Sequence, residues 1–214
     1  MFKRLVSATI MLILVLCLTT VVLASLSIGV KKGDWIEYTV TYTGSPPKGH
    51  DINWARMEIT NIHGTNITVS ITSKFPNGST EIFNSTLNLK TGQLIDDFII
   101  PANLKAGETF LDQNLGNVTI NHAEEHTYAG ALRMVLYAST NQNTYVWDQA
   151  TGVSVEGTSQ QPDYSIHTIV ENTNMWVPSQ SLDARVFLLV MIVVLAVTVA
   201  SVIAAIRCRK RKTP

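Results

Sequence analysis

The stretch NITVSITSKFPNGSTEIFNSTLNL, residues 66 to 89, decides the fold class. Ile67, Val69, Ile71 and Phe75 share one parity, with Thr68, Ser70 and Thr72 between them. A period of two puts alternate side chains on opposite faces of a strand, whereas a helix would bring its apolar positions back every three or four residues. Asn77-Gly78 is the strongest short hairpin signal, because both residues tolerate the positive φ that a tight turn requires. Beyond it, Phe83, Leu87 and Leu89 resume one parity. Two antiparallel strands with one apolar face are therefore predicted.

The same alternation extends outward. In DWIEYTVTY (34–42), Ile36, Tyr38, Val40 and Tyr42 oppose Glu37, Thr39 and Thr41. Met57 and Ile59 alternate with Glu58 and Thr60 ahead of the turn HGTN (63–66). QLIDDFII (93–100) reads as a further strand piece, ANLKAGE (102–108) as a loop, and Thr109 to Leu111 as a short strand. LGNVTINHAEEH (115–126) and TYAGALRMVLYAS (127–139) are the next two candidates. YVWDQATGVSVE (145–156) is a hairpin around DQATG, and DYSIHTIVENTNMW (163–176) closes the series. Short alternating segments divided by Gly, Pro and Asn define an all-β class: an antiparallel meander forming a curved sheet, half-barrel or sandwich.

The ends have a different character. Lys3 and Arg4 precede an uncharged, Leu/Val/Ile-rich run, so residues 1–27 read as a signal peptide or signal anchor. Val186 to Ile206 is uncharged and long enough to span a bilayer as a helix. Arg207, Arg209, Lys210, Arg211 and Lys212 follow it, and the positive-inside rule makes residues 207–214 a cytoplasmic tail. The expected organisation is then an extracytoplasmic β-domain over 28–177, a stalk over 178–185, and a transmembrane helix over 186–206 in the cell membrane. Cys17 and Cys208 both fall outside the β-domain, which must be stabilised without a disulfide. Ala196, Ala200 and Ala204 form a small-residue stripe that would let two such helices pack as a homodimer. Residues 28 to 178 carry eight Lys/Arg and fifteen Asp/Glu, a formal charge of −7 that argues against nucleic-acid binding.

Several motifs invite chemistry. His122, Glu125 and His126 spell H-x-x-E-H, but two histidines four apart share a zinc ion only on a helix; on a strand they stand about 13 Å apart. The β-branched NVTIN before them and Thr127, Tyr128 and Gly130 after them favour strand, and no third ligand is evident beyond Glu156 and Glu171, both on predicted strands. Ser45-x-x-Lys48 and Lys90-Thr91-Gly92 echo penicillin-binding enzymes, yet Pro46-Pro47 precludes the helix that chemistry needs. Asp96-Asp97 and Glu124-Glu125 would each point to opposite faces of a strand and so make no acid/base pair. Asn66, Asn77, Asn84 and Asn117 stand in N-x-S/T sequons as candidate glycosylation sites, Asn77 the best placed because it lies in a turn. Trp35, Trp54, Trp147 and Trp176 are assigned to the core rather than to a ligand groove.

At GVKKGDWIEYTV and at YVWDQATGVSVE…SIHTIVENTNMW the chain resembles a group of archaeal single-pass surface proteins with a signal, one β-rich outer domain and a C-terminal membrane helix. The Trp-Asp-x-x-Thr-Gly hairpin is also similar to one in lipoprotein-carrier-like half-barrels, in which a bent sheet cups an apolar ligand; the helices those carriers place in the concavity are not evident here. The resemblance implies an architecture and a compartment. The function expected from sequence is a membrane-anchored, non-enzymatic envelope module for binding or structure, without catalytic residues, metal or cofactor. Its partners would be membrane lipid through the C-terminal helix and a protein or an apolar ligand. The alternative is a carrier or sensor of an apolar ligand, and zinc peptidase stands third.

Overall fold

The computed structural model describes residues 26–140 and 142–178, together with 188–189, 191–195 and 197–198. Eleven strands follow in chain order: β1 (Trp35–Gly44), β2 (Trp54–His63), β3 (Asn66–Lys74), β4 (Thr80–Asn88), β5 (Thr109–Asp112), β6 (Gly116–Thr119), β7 (His122–Tyr128), β8 (Ala131–Ser139), β9 (Asn143–Asp148), β10 (Ser154–Gln160) and β11 (Tyr164–Thr173). Nine of them form one sheet in the order β4-β3-β2-β1-β11-β10-β9-β8-β7, and β5-β6 is a separate hairpin. Every pairing in the large sheet is antiparallel. Two meanders, β1–β4 and β7–β11, therefore run outward from a central seam where β1 meets β11. The seam is pinned at one end: Thr173 Oγ1 donates to the Trp35 carbonyl (2.6 Å), and Asn174 Oδ1 accepts from Trp35 N (2.7 Å).

The hairpin read at 66–89 is present, with Ile71 opposite Phe83 and Ile67 opposite Leu87. Ile36, Tyr38 and Val40 on β1, Met57 and Ile59 on β2, Ile67 and Val69 on β3, and Leu87 on β4 are buried on one face. Register shifts at Glu37/Tyr38, Ile59/Asn61 and Ser154/Glu156 insert extra residues into single strands, and such bulges bend and twist a sheet. The TYAGALRMVLYAS stretch is not one strand. Ala129 (φ 44) and Gly130 (φ 75) are both left-handed and close a two-residue turn between Tyr128 and Ala131.

The 93–100 stretch departs from its predicted strand. Ile95, Asp96 and Asp97 take φ values of 40, 50 and 55, a left-handed turn that three consecutive non-glycine residues rarely adopt. Residues 89–108 instead form an irregular insert, with Leu94, Ile99, Ile100 and Ala102 buried in the same core cluster as the sheet or against it. The apolar run of QLIDDFII fills a core and joins strands only through the isolated bridges Asn88–Gln93 and Ile99–Val153, and a buried turn and a buried strand share one hydropathy pattern. Tyr42 and Phe83, placed on the apolar parity, are exposed.

Most of the signal segment lies outside the described residues, as do Cys17, most of the stalk, Ala196, Ala200, Ala204, Cys208 and the basic tail. Residues 188–189, 191–195 and 197–198 are helical. Among the described residues no helix is long and apolar enough to cross a membrane.

Candidate functional site

The W-D-Q-A-T-G hairpin, residues 147–152, receives the insert. Trp147 is fully buried, and its indole N–H donates to the Asp97 carbonyl at 2.7 Å. Phe110 meets the ring edge-on at 5.5 Å between centroids, and Tyr145 stacks on it at 5.2 Å. Gln149 Nε2 donates to the Leu104 carbonyl (2.7 Å), while the Asn103 amide donates to the Gln149 carbonyl (2.7 Å). The Ile100 amide donates to the Gly152 carbonyl, and the Ser154 amide to that of Phe98 (both 2.9 Å). Gly152 has φ 73, and a Cβ there would stand 2.1 Å from the Ile100 carbonyl oxygen, so only glycine allows the approach. The turn is held by Asp148, whose Oδ1 accepts from the Thr151 amide and hydroxyl.

Asp148 also ties this hairpin to the opposite face of the sheet. Its buried carboxylate accepts from Arg133 Nε (2.7 Å) and Nη2 (3.1 Å). The Arg133 guanidinium lies over the Trp176 ring at 4.8 Å, and Trp176 Nε1 donates to the Tyr128 carbonyl at 3.1 Å. The segment after β11 thus covers the β7–β8 corner from behind while the insert covers the front. Of the four tryptophans assigned to the core, Trp147 and Trp176 are buried; Trp35 and Trp54 are half-exposed, and the Arg56 guanidinium lies 4.2 Å above the Trp35 ring.

A groove of about 570 Å³ opens at the far end of the first meander. Tyr42, Phe75 and Pro76 supply apolar surface, and Lys48, Asp51, Asn77 and Glu81 supply polar groups. The 45–53 loop and the β3–β4 turn build it. Asn77 Oδ1 accepts from the Ser79 amide (2.9 Å) and hydroxyl (2.7 Å), fixing the turn that separates β3 from β4. Next to the groove, Ile82 and Phe83 on β4 are 69% and 59% exposed, both faces of an edge strand left open to solvent.

The sequence-nominated residues scatter. His122 and His126 lie on β7, as expected for a strand; His122 stacks on Tyr137 (4.4 Å) and His126 packs against Tyr128 (4.9 Å). Among the described residues no group of three His, Cys, Asp or Glu is placed to hold a metal ion. Ser45 and Lys48 lie in the loop after β1, and Lys90 to Gly92 in the turn after β4. Asn77, Asn84 and Asn117 are exposed, in the turn and on β4 and β6 respectively, and Asn66 is half-buried at the start of β3. Sequence reasoning missed a polar chain on the outer face: Tyr128 Oη donates to Glu156 Oε2 (2.6 Å), and Glu156 Oε1 pairs with His167 Nε2 (2.8 Å). Burial raises the Glu156 pKa, but the bonds from Tyr128 and His167 outweigh that and the net direction is down. It missed a second pair as well. Asp97 is buried beside Asp112, fifteen residues on, and not paired with its neighbour Asp96; only the left-handed turn brings it there.

No protein-family model matches the chain, and neither does any curated protein. Among solved structures it is similar to the siderocalin Ex-FABP, a protein described as functioning through dual ligand specificities. That likeness has 12% identity, covers 72% of this chain and 80% of the other, and has a TM-score of 0.25. Likeness at that level assigns neither a fold family nor a ligand.

Proposed function

We propose that this chain is a membrane-tethered binding module of the cell envelope, with the groove at the end of the β1–β4 meander as its contact surface. The groove carries the reading: aromatic planes and convergent polar groups on loops held by a rigid sheet are how ligand sites are built. Tethering rests on the apolar run 186–206 and the cations that follow it. The chemistry of the lining fits a hydroxyl-rich or weakly cationic ligand, since Asp51 and Glu81 offer acceptors around Tyr42 and Phe75. The test is retention of the purified protein on envelope fractions of the source cell, compared with the Tyr42→Ser/Phe75→Ser double variant. Equal retention of both proteins would refute the assignment. Because Asn77 sits in the groove and in a sequon, intact mass of the native protein is part of the same experiment: a glycan there would occupy the surface.

A second reading, a carrier or sensor of an apolar ligand, is favoured by one observation. The apolar face of the sheet is covered by an irregular insert with a left-handed turn, where a continuous second layer is absent. Insert residues Leu94, Ile99 and Ile100 would then stand where a ligand's acyl or ring atoms go. Copurification of lipid with the protein, or its absence, decides this reading.

A further inference from the structure

We propose that Asp97 and Asp112 share one proton and that this proton locks the 95–104 part of the insert onto the sheet, so that this part opens when the proton leaves for solvent. The inference concerns the insert itself and holds under either functional reading. Asp97 and Asp112 are 5% and 4% exposed. Two acceptors, Asp97 Oδ1 and Asn143 Oδ1, are buried with no hydrogen-bond partner. Asp112 already caps a turn, its Oδ1 accepting from the Asn114 and Leu115 amides at 2.6 Å each. Two adjacent buried carboxylates do not both ionise cheaply, so one proton stays with the pair, and the unpartnered Asp97 Oδ1 is where it is least opposed by another bond.

The titratable groups facing Asp97 are Asp96 on the insert itself, Asp112 at the end of β5, and Tyr145 on β9. Burial, then the charge and hydrogen bond of Asp112, push the Asp97 pKa up to about 7, with the Tyr145 hydroxyl pulling the other way. Tyr145 is raised in turn to about 12, by burial first, and stays a hydroxyl throughout. Asn143 Nδ2 holds the Tyr145 oxygen at 2.8 Å, so the hydroxyl proton is free to point at the carboxyl pair. Ionising Asp97 places two like charges at the insert's only left-handed run, immediately beside the carbonyl that Trp147 grips.

The direction follows from linkage. In the opened insert Asp97 returns to an ordinary carboxylate pKa of about 3.9. Between that value and about 7 the closed form holds a proton that the open form lacks. Rising pH therefore favours opening by ~10-fold per unit in that window, with no further change above it.

The experiment is amide hydrogen exchange on the full-length protein in detergent micelles between pH 5 and 8, corrected for intrinsic rates. It reads the insert amides of Ile100, Ala102 and Asn103, which donate to Gly152, Ser27 and Gln149. Wild-type protection of these amides is expected to fall ~10-fold per pH unit up to about 7. Asp97→Asn, which keeps an N–H toward Asp112, should hold protection flat and high. Asp112→Asn removes the neighbouring charge and should move the transition to lower pH; it decides the matter if Asp97→Asn fails to fold. A pH-independent wild type, an Asp97→Asn variant that keeps the slope, or an Asp112→Asn variant with an unmoved midpoint would each overturn the proposal. So would protection that rises with calcium chloride and falls with EDTA, which would make the pair a cation site.

Discussion

The two meanders use the same alternating pattern to different ends. Along β1, β2 and the first half of β3, burial alternates with the sequence: Ile36, Tyr38 and Val40 are buried, while Glu37, Thr39 and Thr41 face solvent or half-face it. Along β8 and β9 the alternation fails. Val135 and Leu136 are consecutive and both fully buried, and Val146, Trp147 and Asp148 are buried in a row. The first meander has a wet back; in the second, the β8–β9 pair is covered on both sides, by the insert and by the Met175–Trp176 segment, while β7, β10 and β11 keep exposed or half-exposed faces. Covering both faces creates a need for a buried ion pair, since Asp148 and Arg133 then lie where water cannot reach the carboxylate. It also makes the second meander the place where single substitutions are felt most.

Breaking that contrast begins at its strongest point. Trp147→Ala removes a fully buried ring, its stacking partners and the bond to Asp97. A loss of about 3–5 kcal/mol is expected in denaturant unfolding. A loss under about 1 kcal/mol would mean that the insert does not depend on this side chain. Arg133→Met leaves Asp148 buried and uncompensated. It should cost about 3 kcal/mol, partly restored by the second change Asp148→Asn. Gly152→Ala drives a methyl into the Ile100 carbonyl at a positive φ and should cost about 2 kcal/mol, with the insert amides losing protection before the rest of the sheet.

The pH responses sharpen the comparison because their signs oppose. Glu156, lowered by its partners on the outer face, stabilises the fold above the ordinary carboxylate range and loses that contribution as pH falls through its folded value. Asp97 does the reverse, costing stability as pH rises toward about 7. Glu156→Gln should therefore flatten the acid limb of a melting-temperature profile and leave the neutral limb unchanged. Loss of the neutral limb would contradict the assignment. The smallest effect belongs to the first meander's exposed edge: Ile82→Thr with Phe83→Thr should change stability by under about 0.5 kcal/mol. Light scattering of the same variant should show less self-association than wild type, since an open apolar edge invites pairing.

The residues that carried the likeness to half-barrel carriers have a clear structural role here. Trp147, Asp148, Gln149 and Gly152 clamp the insert, and the sequence signalled the hairpin through its turn chemistry while giving no sign of what it grips. The groove was equally illegible. Tyr42 and Phe83 looked like core positions because their parity is right, and parity says which face a side chain takes but not where its cover ends. The Asp97–Asp112 pair was hidden by the reading of 93–100 as a strand, on which Asp97 would have been judged only against Asp96.

Local alternation and turn residues by themselves determined an antiparallel meander, its hairpins at 64–65 and 77–78, and the apolar face of β1–β4. Those features depend on neighbours a few residues away, and the chain states them directly. Only the tertiary structure decided that β11 returns to β1, that residues 89–108 fold inward as an irregular layer, and that β8 and β9 are buried on both faces. These depend on which distant surfaces exclude water from one another, and hydrophobic burial has no direction that a linear pattern can record.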